Sequence, residues 1–424
     1  MKLFTSIKSL HEKLRVWGIP GVLNFFKRNF AGIIQRKKLR ALARKSKFKT
    51  PGKGITIIAD LTAQVSLSKT MRDFILLLKE AGIPHQTYDT CLKPQIPQED
   101  VSDIVTPPGE FDLGRFSHII MMYRSPLPPD ILPQCKRIRL AFYDSAHGIH
   151  ETLPFLKESG DDIAAMSDFN YQYFKKEFPD QNVYKITYPF RFKSEKATPR
   201  NILRKKYGME ESDFIVFFNF DFGSYYRKNI PAALKAFAKA FKGDITAKLL
   251  FKTKGAKANP KQVQEMMREV HALNIDAQFI HISQYLPRAD IDGLTDACDV
   301  YLSLHKSEGF GIGMAEAMSQ GKPVVATNWS ANTEFCHDET AWCIPYKMTD
   351  ILSHEYPVSM KEWADADIEA AADALREIRN NPQSAEERAK NGAAFMQSHF
   401  STEKFKADIE NILQRGNHHN NRPV

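Results

Sequence analysis

Glu308 and Glu316 stand with seven residues between them in a 424-residue chain, in the run Ser307-Glu308-Gly309-Phe310-Gly311-Ile312-Gly313-Met314-Ala315-Glu316. Val300 to Leu304 reads as a buried strand, and 312–320 as a helix that Gly321-Lys322-Pro323 stops. A strand, a carboxylate, a glycine-rich turn and a helix start follow in that order. Glu308 is therefore expected at the carboxyl edge of a parallel sheet, where such folds bind ligands. The glycines let backbone N–H groups approach a ligand closely, and the helix start offers unpaired donors and a positive dipole end. That combination suits a diphosphate. Glu316, further along the helix, is spaced to reach a ribose, since carboxylates accept hydrogen bonds from sugar hydroxyls. The plainer reading is a pair of solvated carboxylates around an ordinary turn.

In this strand–turn–helix setting the stretch resembles the E-x7-E signature of retaining family 4 glycosyltransferases of the GT-B fold, the bacterial glycosyl transferases group 1 type. Gly321-Lys322-Pro323-Val324-Val325-Ala326-Thr327 is similar to the same family's next strand. The resemblance implies that Glu308 holds the transferred sugar near the reacting carbon and that Glu316 binds the nucleotide ribose. Backbone at Gly309, Phe310, Gly311 and Ile312 is implied to contact sugar and phosphates. Arg227 and Lys228, after the strand Phe214 to Phe220, match the family's cation pair for the donor diphosphate, whose departure needs positive charge. Many relatives carry a further Arg six residues before that Lys; here the position is Phe222. Lys252 is the candidate to supply the missing contact, with Lys254 as its rival. In the first half the likeness is looser. Ala63 to Thr70 has no glycine, and Ser66 and Ser68 are the candidates to take its place. His147, with His150 as alternative, falls where relatives place a histidine near the donor sugar. Trp329 to Glu334 resembles a recurring loop without an assigned role.

Around these residues the pattern alternates strand and helix. Ile55 to Asp60 reads as a strand, Lys69 to Ala81 as a helix, and His118 to Tyr123, Arg139 to Tyr143 and Ile163 to Met166 as strands. Ser167 is placed to cap a helix. In the second half strands are expected at 248–251 and 279–282, helices at 232–241, 263–273 and 290–298, then helices at 366–379, 384–397 and 402–414. The segment 345–363 reads as loop. Asp290 and Asp292 have the spacing of a metal motif but open a helix, so they are expected to cap it or to be solvated. The expected architecture is α/β: two Rossmann-like, doubly wound parallel sheets facing a cleft. An acceptor domain at 54–198 would be completed by the helix near 400–415, and a donor domain would span 199–399.

Charge is uneven. The first 50 residues carry +13 and the whole chain +9, so the remainder is mildly acidic at −4. The basic residues 1–53 form an arm, and within 22–45 an apolar stripe (Val22, Phe26, Phe30, Ile33, Ile34) is flanked by Lys and Arg. Such a helix suits an anionic membrane surface through residues 20–45, with docking on the protein's own body as the alternative. The arm's aromatics lie on the stripe and not among the cations, which speaks against nucleic acid. A basic transit peptide is a minor reading. Five scattered cysteines without a CxxC pair suggest neither a zinc site nor disulfides, and no window is apolar enough for a membrane span.

The expected activity is transfer of a hexose from a nucleotide diphosphate sugar to a hydroxyl of a saccharide or lipid-linked saccharide, with retention and without a metal or other cofactor. The expected setting is cell-surface polysaccharide or lipopolysaccharide synthesis, in the cytoplasm and peripheral to the inner membrane. Alternatives are a phosphorylase or epimerase on the same fold, and a non-catalytic sugar-nucleotide or membrane-binding assembly protein.

Overall fold

The computed structural model describes residues 32–48, 50–62, 66–91, 101–122, 125, 127–128, 130–141, 147–148, 152–192, 197–352 and 360–414. Two six-stranded sheets organise them. The first has the order β2-β1-β3-β4-β6-β7, built from β1 (Gly52–Ala59), β2 (His85–Asp89), β3 (Phe116–Met122), β4 (Lys136–Ala141), β6 (Asp162–Ala165) and β7 (Val183–Lys185). The second has the order β10-β9-β8-β11-β12-β13, from β8 (Phe214–Asp221), β9 (Ala247–Lys254), β10 (Phe279–Ile282), β11 (Val300–Ser303), β12 (Val324–Thr327) and β13 (Trp342–Ile344). Every pairing in both sheets is parallel. The strands are short apolar runs because helices cover both faces, and parallel sheets survive only when so covered. Val216, Phe217, Phe218, Leu249, Leu250 and Phe251 are all fully buried.

Each sheet reverses its winding direction once. In the second sheet the reversal lies between β8 and β11, so the chain leaves these two neighbours to opposite sides and opens a crevice at their carboxyl ends. The loops after β8 and β11 carry Arg227, Lys228 and Glu308.

The helices are α2 (Ser66–Glu80), α3 (Thr152–Ser159), α4 (Asp168–Glu177), α5 (Arg200–Lys206), α6 (Ile230–Phe241), α7 (Pro260–Ala272), α8 (Arg288–Ala297), α9 (Ile312–Ser319), α10 (Ile368–Asn380), α11 (Pro382–His399) and α12 (Thr402–Gln414), after α1 at 32–44. Ser167 caps α4 as its position suggests, accepting from the Asn170 amide at 3.2 Å. The last helix returns to the first sheet. Phe405 of α12 meets Phe74 of α2 edge-on at 5.1 Å, and Asp408 accepts from the amide and hydroxyl of Thr187 at 2.7 Å each.

Two expectations change. The segment expected as loop holds two strands, β14 (Tyr346–Asp350) and β15 (Met360–Ala366), which pair antiparallel; β15 also pairs with β5 (His147–Gly148). Tyr346 to Asp350 is polar and its partner lies beyond an intervening stretch, so neither apolar alternation nor a tight hairpin turn marks it. Within α1, Leu39 is fully buried and packs with Ile58, Ile119 and Met121 of the first sheet, while Gln35 donates to the Thr90 carbonyl at 2.6 Å. The inner face of 32–44 is thus committed to the protein's own body. Arg36, Lys37, Lys38, Arg40 and Arg44 remain on its exposed side, and the part of the stripe before residue 32 lies outside the described residues. No helix among the described residues is long and apolar enough to cross a membrane.

Candidate active site

Glu308 leaves β11 and is 7% exposed. A carboxylate taken out of water needs cations and hydrogen bonds close by. Arg227 supplies one, its Nη1 3.1 Å from Glu308 Oε1, and Lys228 Nζ contacts the same oxygen. Burial alone would raise the Glu308 carboxyl, but Lys228, then Arg227 and His305, outweigh it and hold it down at about 2. The loops are sewn together through backbone as well. Arg227 Nη1 donates to the Ser307 carbonyl at 2.7 Å, and the Lys306 amide donates to the Arg227 carbonyl at 2.8 Å.

The loop Trp329 to Glu334, without an assigned role in the sequence, supports Glu308 from beneath. The Glu308 amide donates to Ser330 Oγ at 2.8 Å, and the Ala331 amide donates to the Glu308 carbonyl at 3.2 Å. Ser330 reaches that position with φ of +75°, a strained setting for a residue with a side chain. Asn332 fixes His305 through a 2.9 Å contact between Oδ1 and Nε2. Burial, the largest influence, pushes the His305 imidazole downward, against the pull of Glu308.

Glu316 sits in the second turn of α9, 6% exposed. Its Oε1 lies 2.7 Å from Arg288 Nη2 and 3.6 Å from Lys69 Nζ. Burial would raise its carboxyl, and Arg288 and Lys69 reverse the direction. Asp292, expected to cap or be solvated, is instead 2% exposed and ion-paired to Arg288 at 2.6 Å. The correction follows from position: α8 begins after β10 at the same carboxyl edge, so its first turn faces Glu316 and not solvent. Asp290 accepts from Thr198 Oγ1 at 2.6 Å.

The turn between the glutamates is shaped for close approach. Gly311 caps α9 with φ of +96°. A Cβ on Gly313 would lie 2.1 Å from the Tyr301 hydroxyl and 2.8 Å from Asn219 Oδ1, so only glycine lets α9 seat on β8 and β11. Gly311 offers no side-chain cap, so the first amides of α9 are without intrahelical partners at the carboxyl edge of β11. Phe310 keeps its side chain out of the crevice: its ring stacks on Tyr188 of the first domain at 3.6 Å and 6° and packs against Phe335 and Phe400. Asn170 donates to the Gly309 carbonyl at 2.8 Å.

Phe222, where a cation is common in the similar family, is 1% exposed and packs with Phe220 and Tyr225, so this position contributes no charge. Of the two rival lysines, Lys254 is half-exposed and pairs with Asp221 at 3.6 Å. Lys252 is buried, in register with Asn219 on the β8 side, and burial, followed by Lys254, depresses its ammonium. The backbone of His147 pairs with Glu362 of β15, and β15 in turn meets the site where the Ala364 amide donates to the Lys306 carbonyl at 3.1 Å. The His147 side chain, His150 and 63–65 lie outside the described residues; Ser68 is buried in the first turn of α2. Among the described residues no group of three or more His, Cys, Asp or Glu is gathered as a metal would need.

Arg288, Lys69 and Ser330 were not singled out as site residues by sequence reasoning. Arg288 carried a usable signal, since it follows β10 at the edge where every strand of this sheet delivers its loop. Lys69 carried none, because its partner belongs to the other domain.

Residues 199–354, which hold Arg227, Lys228, Arg288, Glu308 and Glu316 but not Lys69, match the family of glycosyl transferases group 1. No curated protein matches the chain in sequence. Solved structures do match in fold. Sucrose-phosphate synthase from Thermosynechococcus elongatus superposes with a TM-score of 0.64 at 15% identity, over 86% of this chain and 99% of that one. HepE of Anabaena, in complex with UDP and glucose, gives 0.58 at 14% identity, over 86% and 100%. WaaG, a glycosyltransferase involved in lipopolysaccharide biosynthesis, gives 0.56 at 12% identity, over 85% and 100%. The architecture is the GT-B fold, and the group 1 domain makes the chain a glycosyltransferase.

Gly313→Ala should lower stability by about 1–3 kcal/mol through overpacking. Adding Tyr301→Phe should return part of that loss in a urea unfolding series; no difference between the single and double variants would show that the hydroxyl contact does not set the position of α9.

Proposed function

We propose that this glycosyltransferase moves a hexose from a nucleotide diphosphate sugar to a hydroxyl of a saccharide or lipid-linked saccharide, with retention at the anomeric carbon. The observation that carries the reading is Glu308 held on one oxygen by both Arg227 and Lys228, beside the open start of α9. The donor diphosphate shares these two cations and the first amides of α9, and Lys252 adds a third cation where Phe222 offers none. With Oε1 committed to the cations, the second oxygen of Glu308 accepts from the sugar hydroxyls. Glu316 does the same for the ribose. The bond from the anomeric carbon to the β-phosphate oxygen breaks as the bond to the acceptor oxygen forms, and the acceptor's proton passes to the departing phosphate. The growing negative charge is met by Arg227, Lys228 and the helix start, so the scheme uses no metal. His147 is assigned to the sugar side of the cleft, because β15 brings its backbone alongside the Glu308 loop.

The acceptor belongs to cell-surface polysaccharide or lipopolysaccharide synthesis on the cytoplasmic face of a membrane. WaaG, with its place in lipopolysaccharide biosynthesis, supports that direction, and HepE in complex with UDP and glucose supports a nucleotide-sugar donor. The exposed basic side of α1, together with residues 20–31, docks on anionic lipid.

Purified protein should release nucleoside diphosphate from one member of a panel of UDP-, GDP- and ADP-hexoses. Glu308→Ala should cut turnover by about a hundredfold or more, the scale of losing a main transition-state contact. The product's anomeric configuration, read by NMR, should match the donor's. Binding of a sugar nucleotide without any turnover would favour a non-catalytic assembly protein instead. Vesicles containing phosphatidylserine should sediment the protein at low salt and release it at high salt, whereas equal binding to neutral vesicles would refute the membrane assignment.

A further inference from the structure

The two glutamates are held in the same way but by different parts of the molecule. Glu308 is clamped on Oε1 by two cations of its own domain. Glu316 is clamped on Oε1 by one cation of its own domain, Arg288, and by one from the other, Lys69 on α2. Each clamp has a carboxylate behind it. Asp292 lies 2.6 Å from Arg288, and Asp73 lies 2.5 Å from Lys69, four residues on along α2. The result is a row of alternating charge, Asp73–Lys69–Glu316–Arg288–Asp292, that begins in the first domain and ends in the second. Its members are largely shielded, with side-chain exposures from 2% to 20%.

This row carries three negative and two positive groups, whereas the Glu308 cluster carries one negative and two positive. An anion is therefore favoured at Glu308 and disfavoured at Glu316, where neutral hydroxyl donors fit better. A lone carboxylate on a helix turns about its side-chain torsions. With two cations on Oε1, the direction of Oε2 is fixed.

We propose that Lys69 is a positioning residue for the donor's ribose: by gripping Glu316 across the cleft it aims Oε2 at the ribose hydroxyls, and it makes nucleotide affinity in the second domain depend on the first. The inference rests on the assignment of Glu316 to the ribose. It adds a sequence-distant residue to the donor site and assigns the specificity for ribose over deoxyribose to a contact between domains.

The test is calorimetric binding of UDP, GDP and ADP, each against its 2′,3′-dideoxy counterpart. Wild type should prefer the ribose form of its nucleotide by about tenfold or more, the worth of a charge-assisted hydrogen bond. Lys69→Met should remove most of that preference while changing affinity for the dideoxy form by less than about twofold; Lys69→Arg should keep the preference. Arg288→Lys, which loosens the other clamp, should erode the same ratio and gives an independent reading if Lys69→Met folds poorly. A purely structural role would weaken both nucleotides equally, and an unchanged ratio in Lys69→Met and Arg288→Lys overturns the inference. If wild type binds none of the six nucleotides, the donor-site assignment itself fails, which is a different outcome from a lost ratio.

Discussion

A carboxylate buried in a protein stays ionised only beside positive charge, and this molecule buries Glu308 and Glu316, with Asp292 behind, at the crevice of its second sheet. Removing either cation pair would leave an anion stranded in a low-dielectric setting, a cost of several kcal/mol in comparable sites. The surrounding structure is arranged to keep the charges matched. The reversal of strand order between β8 and β11 brings the Arg227-Lys228 loop and the Glu308 loop side by side. Gly313 lets α9 sit close enough for Glu316 to meet Arg288. Ser330 accepts its strained backbone to hold the Glu308 amide. Polar groups that must be paired when buried also specify one geometry, so the demands of stability and of ligand binding fall on the same residues.

The same loops join the two domains. Segments at the carboxyl edge of the first sheet meet those of the second at several places, among them Tyr188 on Phe310, Lys69 on Glu316, Asn170 on Gly309, and Lys185 with the Asp168 amide on Glu334. Glu334 also meets His399, which ties in the C-terminal helices. Burial would raise the Glu334 carboxyl, and His399 and Lys185 reverse this. A ligand in the crevice therefore touches elements whose far sides are already engaged with the opposite domain. Glu316 shares one of its cations, Lys69, with that seam.

Much of this was legible in the sequence where the signal is local. Val300 to Leu304, the glycine turn and the helix to Ser319 follow each other within twenty residues, and their order alone put Glu308 at a sheet edge. Phe214 to Phe220 and Val324 to Ala326 are apolar runs that are hard to read as anything but buried strands. What escaped reading depends on distance along the chain. Lys69 and Arg288 become site residues only because the fold brings α2 and α8 to Glu316. Asp292 reads as a capping or solvated residue from its neighbours in sequence, whereas its neighbour in space is Arg288. Tyr346 to Asp350 lacks an apolar face, so its strand character comes from β15 and not from its own residues. For α1 the sequence showed a basic amphipathic helix but not which surface its apolar side would meet; Leu39 packs into the first core, while Ile33 of the apolar stripe is 37% exposed.

The central claim is that the cations which neutralise Glu308 are also the receptor for the donor's diphosphate. The most direct measurement compares binding of a nucleoside diphosphate with that of the bare nucleoside, in wild type and in Arg227→Gln/Lys228→Gln made together with Glu308→Gln, so that no buried carboxylate is left without its cations. Wild type should favour the diphosphate by about a hundredfold or more, as two charge-assisted contacts imply, and the triple variant should lose most of that preference. A triple variant that folds and still discriminates as wild type does would contradict the account, because the diphosphate would then be held somewhere else.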